Sequence, residues 1–159
     1  MRSLVDFANT FDPERGGEHL DGEWLGFPGA DVTQARALRD ALRSLAFANS
    51  ALPHDPGAEA VIDAVAERAR LTPVLRDGLS RLEPRAEGLD AVLGRIVADL
   101  HAAIWAGAFP RLKACERESC RFVFHDRSRN RSARWCSMAI CGAREKSARA
   151  YRRRLASGG

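Results

Sequence analysis

The sequence predicts an α+β protein, predominantly α: a helical N-terminal domain with one β-hairpin, followed by a small cysteine-bearing module. Three observations predict it. Apolar residues recur at three- and four-residue intervals over three stretches between residues 31 and 105, the period of helices with one buried face. A single Asp-Gly pair, Asp77-Gly78, stands between two short runs of alternating apolar residues, the pattern of a tight hairpin. All four cysteines, Cys115, Cys120, Cys136 and Cys141, lie in the last third of the chain.

The elements follow in order. The opening LVDFANTF is short and apolar with a polar insertion, a helical turn or a strand leading into the breaker cluster Asp12 to Gly17. Trp24, Leu25 and Phe27 are expected as core contacts at the edge of this loop. A helix is expected from near Asp31, with Asp31 as N-cap and Gln34 completing a capping-box-like pair. Val32, Ala35, Leu38, Leu42 and Leu45 form its apolar stripe, with Arg36, Arg39, Asp40 and Arg43 between them, and it stops near Asn49, ahead of Pro53. A second helix begins at Asp55-Pro56, a cap followed by proline at the first helical position, and runs through Val61, Ile62, Val65 and Ala69. The segment LTPVLRDGLSRLEP is the hairpin, with Leu71 and Val74 or Leu75 on one strand and Leu79 and Leu82 on the other. A third helix, from about Leu89 to Trp105, should bury Val92, Leu93, Ile96, Val97, Leu100 and Ile104 before Gly107 and Pro110 end it.

From Leu112 the character changes, dividing the chain into residues 1–110 and 111–159. RLKAC and RFVF read as two short strands around the first cysteine pair, and His125 to Arg134 as a polar, basic loop. Cys136 to Cys141 forms a second turn, and GAREKSARAYRRR a closing helix that starts at the last cysteine. Hairpin, second cysteine pair and helix together describe a treble-clef-like zinc module. Phe122, Phe124 and Trp135 should pack around the metal, since so short a module has little other core. The end, Ser157-Gly158-Gly159, should fray.

The cysteines form two Cys-x4-Cys pairs separated by fifteen residues. A tetrahedral structural zinc needs four soft, deprotonated ligands, and two short turns that each bring two sulfurs to one point supply them. The competing readings are two disulfides or four ordinary buried thiols. Disulfides suit a secreted chain, but the start MRSLVDFANTF has no basic stretch followed by an apolar one, and no run approaches the roughly 18 apolar residues of a membrane span. A cytoplasmic location, where thiols stay reduced, and no membrane association are therefore expected. One closed, structural Zn²⁺ leaves no vacant position for a substrate water.

Charge divides the chain in the same place. Residues 1–110 carry 11 Arg against 17 Asp plus Glu, a net of −6, and residues 111–159 carry 12 Arg and 2 Lys against 4 acids, a net of +10. Four thiolates on a zinc would leave about +8 on the second segment. An acidic body joined to a basic module is the asymmetry of a nucleic-acid binder. On the closing helix Arg144, Lys146, Arg149, Arg152 and Arg153 are the candidate contacts, with 149, 152 and 153 on one face. The loop adds Arg127, Arg129, Arg131 and Arg134. The alternative is a solvated basic face, or one that docks on an acidic protein surface.

The segment from Cys115 to Arg154, above all FHDRSRNRSARWCSMAICGAR, resembles the CGNR zinc finger. Its Cys-Gly-Asn-Arg tetrad is matched by Cys141, Gly142, Ala143 and Arg144, with alanine in place of the family's asparagine. The opening LVDFANT is similar to the start of the ABATE domain, which precedes this finger in bacterial proteins described as stress-induced transcription regulators. The resemblance implies a DNA-binding regulator of transcription. The N-terminal domain is expected to sense a small-molecule effector or to mediate self-association, with a homodimer as the expected assembly because small DNA-binding modules gain affinity by dimerising. RNA binding and a zinc-stabilised protein-interaction role stay open beside it.

An enzyme is not expected, because no glycine-rich phosphate loop, nucleophile elbow or paired-carboxylate signature occurs. His125 lies near the cysteines, but four thiolates already fill the site; His19, His54 and His101 are isolated. Asp126 is expected to brace a neighbouring basic side chain or cap its loop, and Gly142 to allow close packing beside the last ligand. Asn9 and Thr10 either line a small-molecule pocket or satisfy backbone groups.

Overall fold

A computed structural model of the chain describes residues 1–14 and 16–157. The expected fraying of the last turn falls largely on Gly158 and Gly159, outside the described residues. Five α-helices and three two-stranded antiparallel sheets make up the described fold: α1 (Arg2–Ala8), β1 (Phe11–Asp12), β2 (Gly17–Glu18), α2 (Thr33–Ala48), α3 (Ala58–Arg68), β3 (Thr72–Arg76), β4 (Leu79–Glu83), α4 (Gly88–Trp105), β5 (Leu112–Ala114), β6 (Val123–His125) and α5 (Ala143–Ser157). A 3₁₀ turn at Phe109–Arg111 leads into β5, and one π-helical turn at Met138–Gly142 leads into α5. Among the described residues no helix is long and apolar enough to cross a membrane.

The 3.6-residue period explains α2. Ala35, Leu38, Leu42 and Ala46 fall on one face and are buried, and α2 packs against both α1 and α3. Its stripe is wider than the apolar residues alone suggest, because Arg39 and Arg43 are buried beside them. Asp31 acts from outside the helix rather than as N-cap, a position held by Val32. Its Oδ1 accepts from the Thr33 amide at 2.9 Å and the Thr33 hydroxyl at 2.6 Å. Likewise Asp55 Oδ1 accepts the Gly57 amide at 2.8 Å in a turn holding Pro56, so α3 starts only at Ala58.

The opening segment is the helix α1, whose Leu4 and Phe7 are fully buried. The breaker cluster after it is the turn of a second small hairpin, with Phe11 opposite Glu18 and Asp12 opposite Gly17. The predicted hairpin is present, with Asp77 and Gly78 at φ of 51° and 76°, the left-handed pair a type I′ turn requires. Its apolar residues nearest the turn are not core: Leu75 and Leu79 are 77% and 72% exposed. They flank the turn, at the solvent-exposed end of the hairpin. Ile104, in the last turn of α4, is also exposed, whereas Leu93, Val97 and Leu100 are buried as expected. Leu25 is buried and Phe27 packs against the core, but Trp24 stays half-exposed, leaning on the Phe7 ring at 5.9 Å between centroids.

One cluster of buried residues runs from Leu4 and Phe7 through α2, α3 and α4 to Leu112 of β5 and Val123 of β6. The strands that bracket the first cysteine pair thus rest on the helical core. Asn9 reinforces this: its Oδ1 accepts the Val123 amide at 2.8 Å and its Nδ2 donates to the Val123 carbonyl at 2.7 Å. Asn49 Nδ2 donates to the carbonyls of Phe109 and Leu112, and Ser50 Oγ accepts the Ala114 amide at 2.8 Å.

Candidate metal centre

Two turns deliver the four sulfurs. The first leaves β5 at Cys115, whose amide bonds the Phe122 carbonyl, and curls so that the Cys120 amide reaches the Arg117 carbonyl. Arg121 there takes a left-handed φ of 49°, reversing the chain into β6. The second turn is capped by Ser137: its Oγ accepts the Ile140 amide, and its carbonyl accepts the amides of Cys141 and Gly142 at 2.9 and 3.1 Å. This shared acceptor produces the π-helical turn and places Cys141 at the foot of α5. Gly142 has no room for a side chain, since an added Cβ would meet Met138 Sδ at 2.6 Å and Trp135 Cε3 at 3.4 Å.

The sulfurs of Cys115, Cys120, Cys136 and Cys141 all lie within 4.8 Å of one another. Cys136 Sγ is 3.7 Å from both Cys120 Sγ and Cys141 Sγ. Zinc–sulfur bonds of about 2.3 Å at tetrahedral angles place sulfurs about 3.8 Å apart, whereas a disulfide needs about 2.05 Å. The four free cysteines therefore fit one tetrahedral ion. Cys115, Cys120 and Cys141 are buried and Cys136 is half-buried; Trp135 packs against them. Phe122 is instead 41% exposed and Phe124 lines a neighbouring cleft, so the expected aromatic shell reduces to Trp135.

Burial pushes the Cys120 thiol up to about 11 and raises Cys136 as well. Burial opposes ionisation of Cys141 too, but hydrogen bonds from Cys120, Cys136, Cys115 and Arg117 bring it below the ordinary thiol value. Ligation thus displaces protons that a metal-free protein would retain, which makes metal affinity rise with pH. A structural zinc held here supplies cross-linking rather than chemistry, joining the first turn to the base of α5.

Asp126 sits at the base of the basic loop, fully buried. Its carboxylate accepts from Lys113 Nζ at 2.8 Å, the Ser128 amide and hydroxyl at 2.8 and 2.6 Å, and the Ala133 amide at 3.1 Å. Burial works against its charge, but these donors outweigh it and hold the carboxyl well below the usual range. Lys113 Nζ also donates to the Arg131 carbonyl. The loop is thus built on a buried ion pair.

The basic residues divide into tethered and outward groups. Arg127, Arg129 and Arg131 are exposed on the loop, and Lys146 is exposed on α5. Arg134 stacks over Trp135 at 5.1 Å and pairs with Glu116. Arg149 and Arg152 both reach Glu145, at 3.3 and 3.0 Å, and Arg144 reaches Glu14 at 2.8 Å. Arg153 is exposed on the same helix. Glu14 also accepts from Arg117 at 3.0 Å, and Arg117 lies within electrostatic reach of the Cys141 sulfur. Sequence patterning could not reveal Glu14 and Arg117, 103 positions apart, as partners beside the metal site.

Thr10 and Asn9 prove to serve backbone groups: Thr10 Oγ1 donates to the Phe7 carbonyl at 2.8 Å, and Asn9 holds β6. No curated protein matches the chain. Residues 111–154, which hold the four cysteines, the basic loop and most of α5, match the family model of the CGNR zinc finger.

Proposed function

We propose that the protein is a zinc-dependent DNA-binding regulator of transcription, in which the CGNR segment meets the duplex and the helical body carries regulation. One observation supports this most. The metal site, the exposed loop arginines and α5 belong to a single segment with a net charge of +10, while the rest of the chain is −6. The order of hairpin, second cysteine pair and helix supports a treble-clef-like reading of the module. α5 has exposed basic side chains around most of its girth, as suits a helix lying along a groove or phosphate backbone. The carboxylate of Asp126 is consumed by its loop, which supports binding rather than catalysis.

RNA is the second reading, and Phe122 is the observation that favours it. Half-exposed at the first cysteine turn, its ring could take a stacked base, whereas the Trp135 face is covered by Arg134. Effector sensing or homodimer formation by the helical body is part of the same proposal. A cleft of about 400 Å³ lined by Arg43, Phe47, His54 and Asp55 supports the former.

The test is binding of zinc-loaded protein to duplex DNA and to single-stranded RNA across a salt series. With six to ten phosphate contacts, duplex affinity should fall by about 10³–10⁵ between 50 and 200 mM salt. Arg149→Ala combined with Arg153→Ala should lower the magnitude of the log–log salt slope by about two units. An unchanged slope removes α5 from the interface, and tighter binding to RNA that is lost in Phe122→Ala transfers the proposal to RNA.

A further inference from the structure

α2 carries three guanidinium groups, Arg36, Arg39 and Arg43, against two carboxylates, Glu18 and Asp40. Glu18 takes Arg39 at 2.6 Å and Arg36 at 3.5 Å, and Asp40 takes Arg39 at 2.9 Å. The unmatched charge is Arg43, which is also buried, at 7% exposure. Among the described residues no carboxylate lies within ion-pair distance of it. Its Nη1 donates to the Ala8 carbonyl at 2.9 Å and its Nη2 to the Arg121 carbonyl at 3.2 Å, with the Phe11 and Phe47 rings beside it at 5.9 and 5.7 Å.

Removing a guanidinium from water costs several kcal/mol, which two carbonyls and two ring faces offset only in part. A matching anion is needed nearby. Asp40 acts on Arg43 from the cleft they share but is already engaged by Arg39; the next anion within electrostatic reach of Arg43 is the Cys120 sulfur, the ligand that Arg121 adjoins. Four thiolates around a divalent zinc leave a net charge of about −2 in a mostly buried centre. Arg117 acts on Cys141, sharing its charge with Glu14.

We propose that Arg43 is a positioning and charge-balancing residue of the metal centre, supplied by α2 from outside the CGNR segment. Its charge offsets the tetrathiolate, and its fork fixes the Arg121 carbonyl that reverses the chain behind Cys120. Zinc affinity then depends on one side chain of the helical body. This holds whether or not the protein binds DNA.

The test uses the full chain and measures zinc affinity by competition with a chromophoric chelator. The thiolate-to-metal absorption of the Co²⁺-substituted protein is a second readout. Outer partners of metal ligands are worth about 10–100-fold in affinity, so Arg43→Gln should weaken zinc by at least about tenfold and shift the Co²⁺ band. Arg43→Lys keeps the charge but not the two-pronged donor, so its loss should be smaller than that of Arg43→Gln. Arg39→Gln is the control: equally buried but already balanced by Glu18 and Asp40, it should leave zinc affinity unchanged. Parental affinity in folded Arg43→Gln, or equal losses in the Arg39 and Arg43 variants, would overturn the proposal. Should Arg43→Gln not fold, Arg43→Lys decides beside Arg39→Gln: weaker zinc binding in the Arg43 variant alone supports the proposal, and parental affinity defeats it.

Discussion

Asp126 shows how one carboxylate can organise a loop that sequence alone presents as merely basic. Residues 127–134 hold four arginines and no acid, so they repel one another and have no apolar core. The anchor lies beneath them, where Asp126 meets Lys113 and three donors from Ser128 and Ala133. Asp126→Asn keeps the shape but leaves Lys113 without its carboxylate, and should lower the unfolding free energy at pH 7 by about 2–3 kcal/mol. The sign with pH follows from the depressed carboxyl. Its stabilisation is complete above the ordinary aspartate range and is lost as pH falls below about 4 towards the folded value. Denaturant titrations of both proteins should therefore converge in acid. A gap that is absent at neutral pH, or that widens in acid, would show that Asp126 is not the loop's anchor.

At the scale of elements, the helices were legible because each is long enough for the 3.6-residue period to repeat several times, as Leu38, Leu42 and Ala46 do in α2. The I′ hairpin was legible from Asp77-Gly78, since few other residue pairs accept two left-handed positions. The cysteine site was the most legible, because four ligands at matched spacing have one simple geometric solution. Exact helix starts were not, because Asp31 and Asp55 satisfy amides from outside the helices they introduce. Nor was the docking of β6, which depends on Asn9 acting in place of a neighbouring strand 114 residues away. The carboxamide bonds both backbone groups of Val123, which only a side chain with a donor and an acceptor can do. Asn9→Ala should leave those groups unpaired, cost about 1–3 kcal/mol and speed exchange of the Val123 amide relative to Asp126. Exchange at Val123 that matches the parent protein would mean that β5 alone holds β6.

Across the whole molecule, stability comes from two unequal sources. The helices bury an apolar cluster that extends into Leu112 and Val123, while beyond β6 the buried apolar contacts shrink to the cysteines and Trp135. A metal cross-link substitutes for a core there, so its removal should act unevenly. β5 and β6 should survive chelation, because Asn9, Asn49, Ser50 and the shared core hold them independently of the sulfurs. The second turn should not, because its bonds to Ser137 lie within a segment that the ion ties to the body. Hydrogen exchange on protein stripped with a chelator under reducing conditions separates the two. Protection should fall at the Cys120, Cys141 and Gly142 amides and along α5, and persist at Val123, at Asp126 and through α2 and α4. Uniform loss across both regions would show that the ion sustains the entire fold, and no loss anywhere would show that the thiol cluster closes without it.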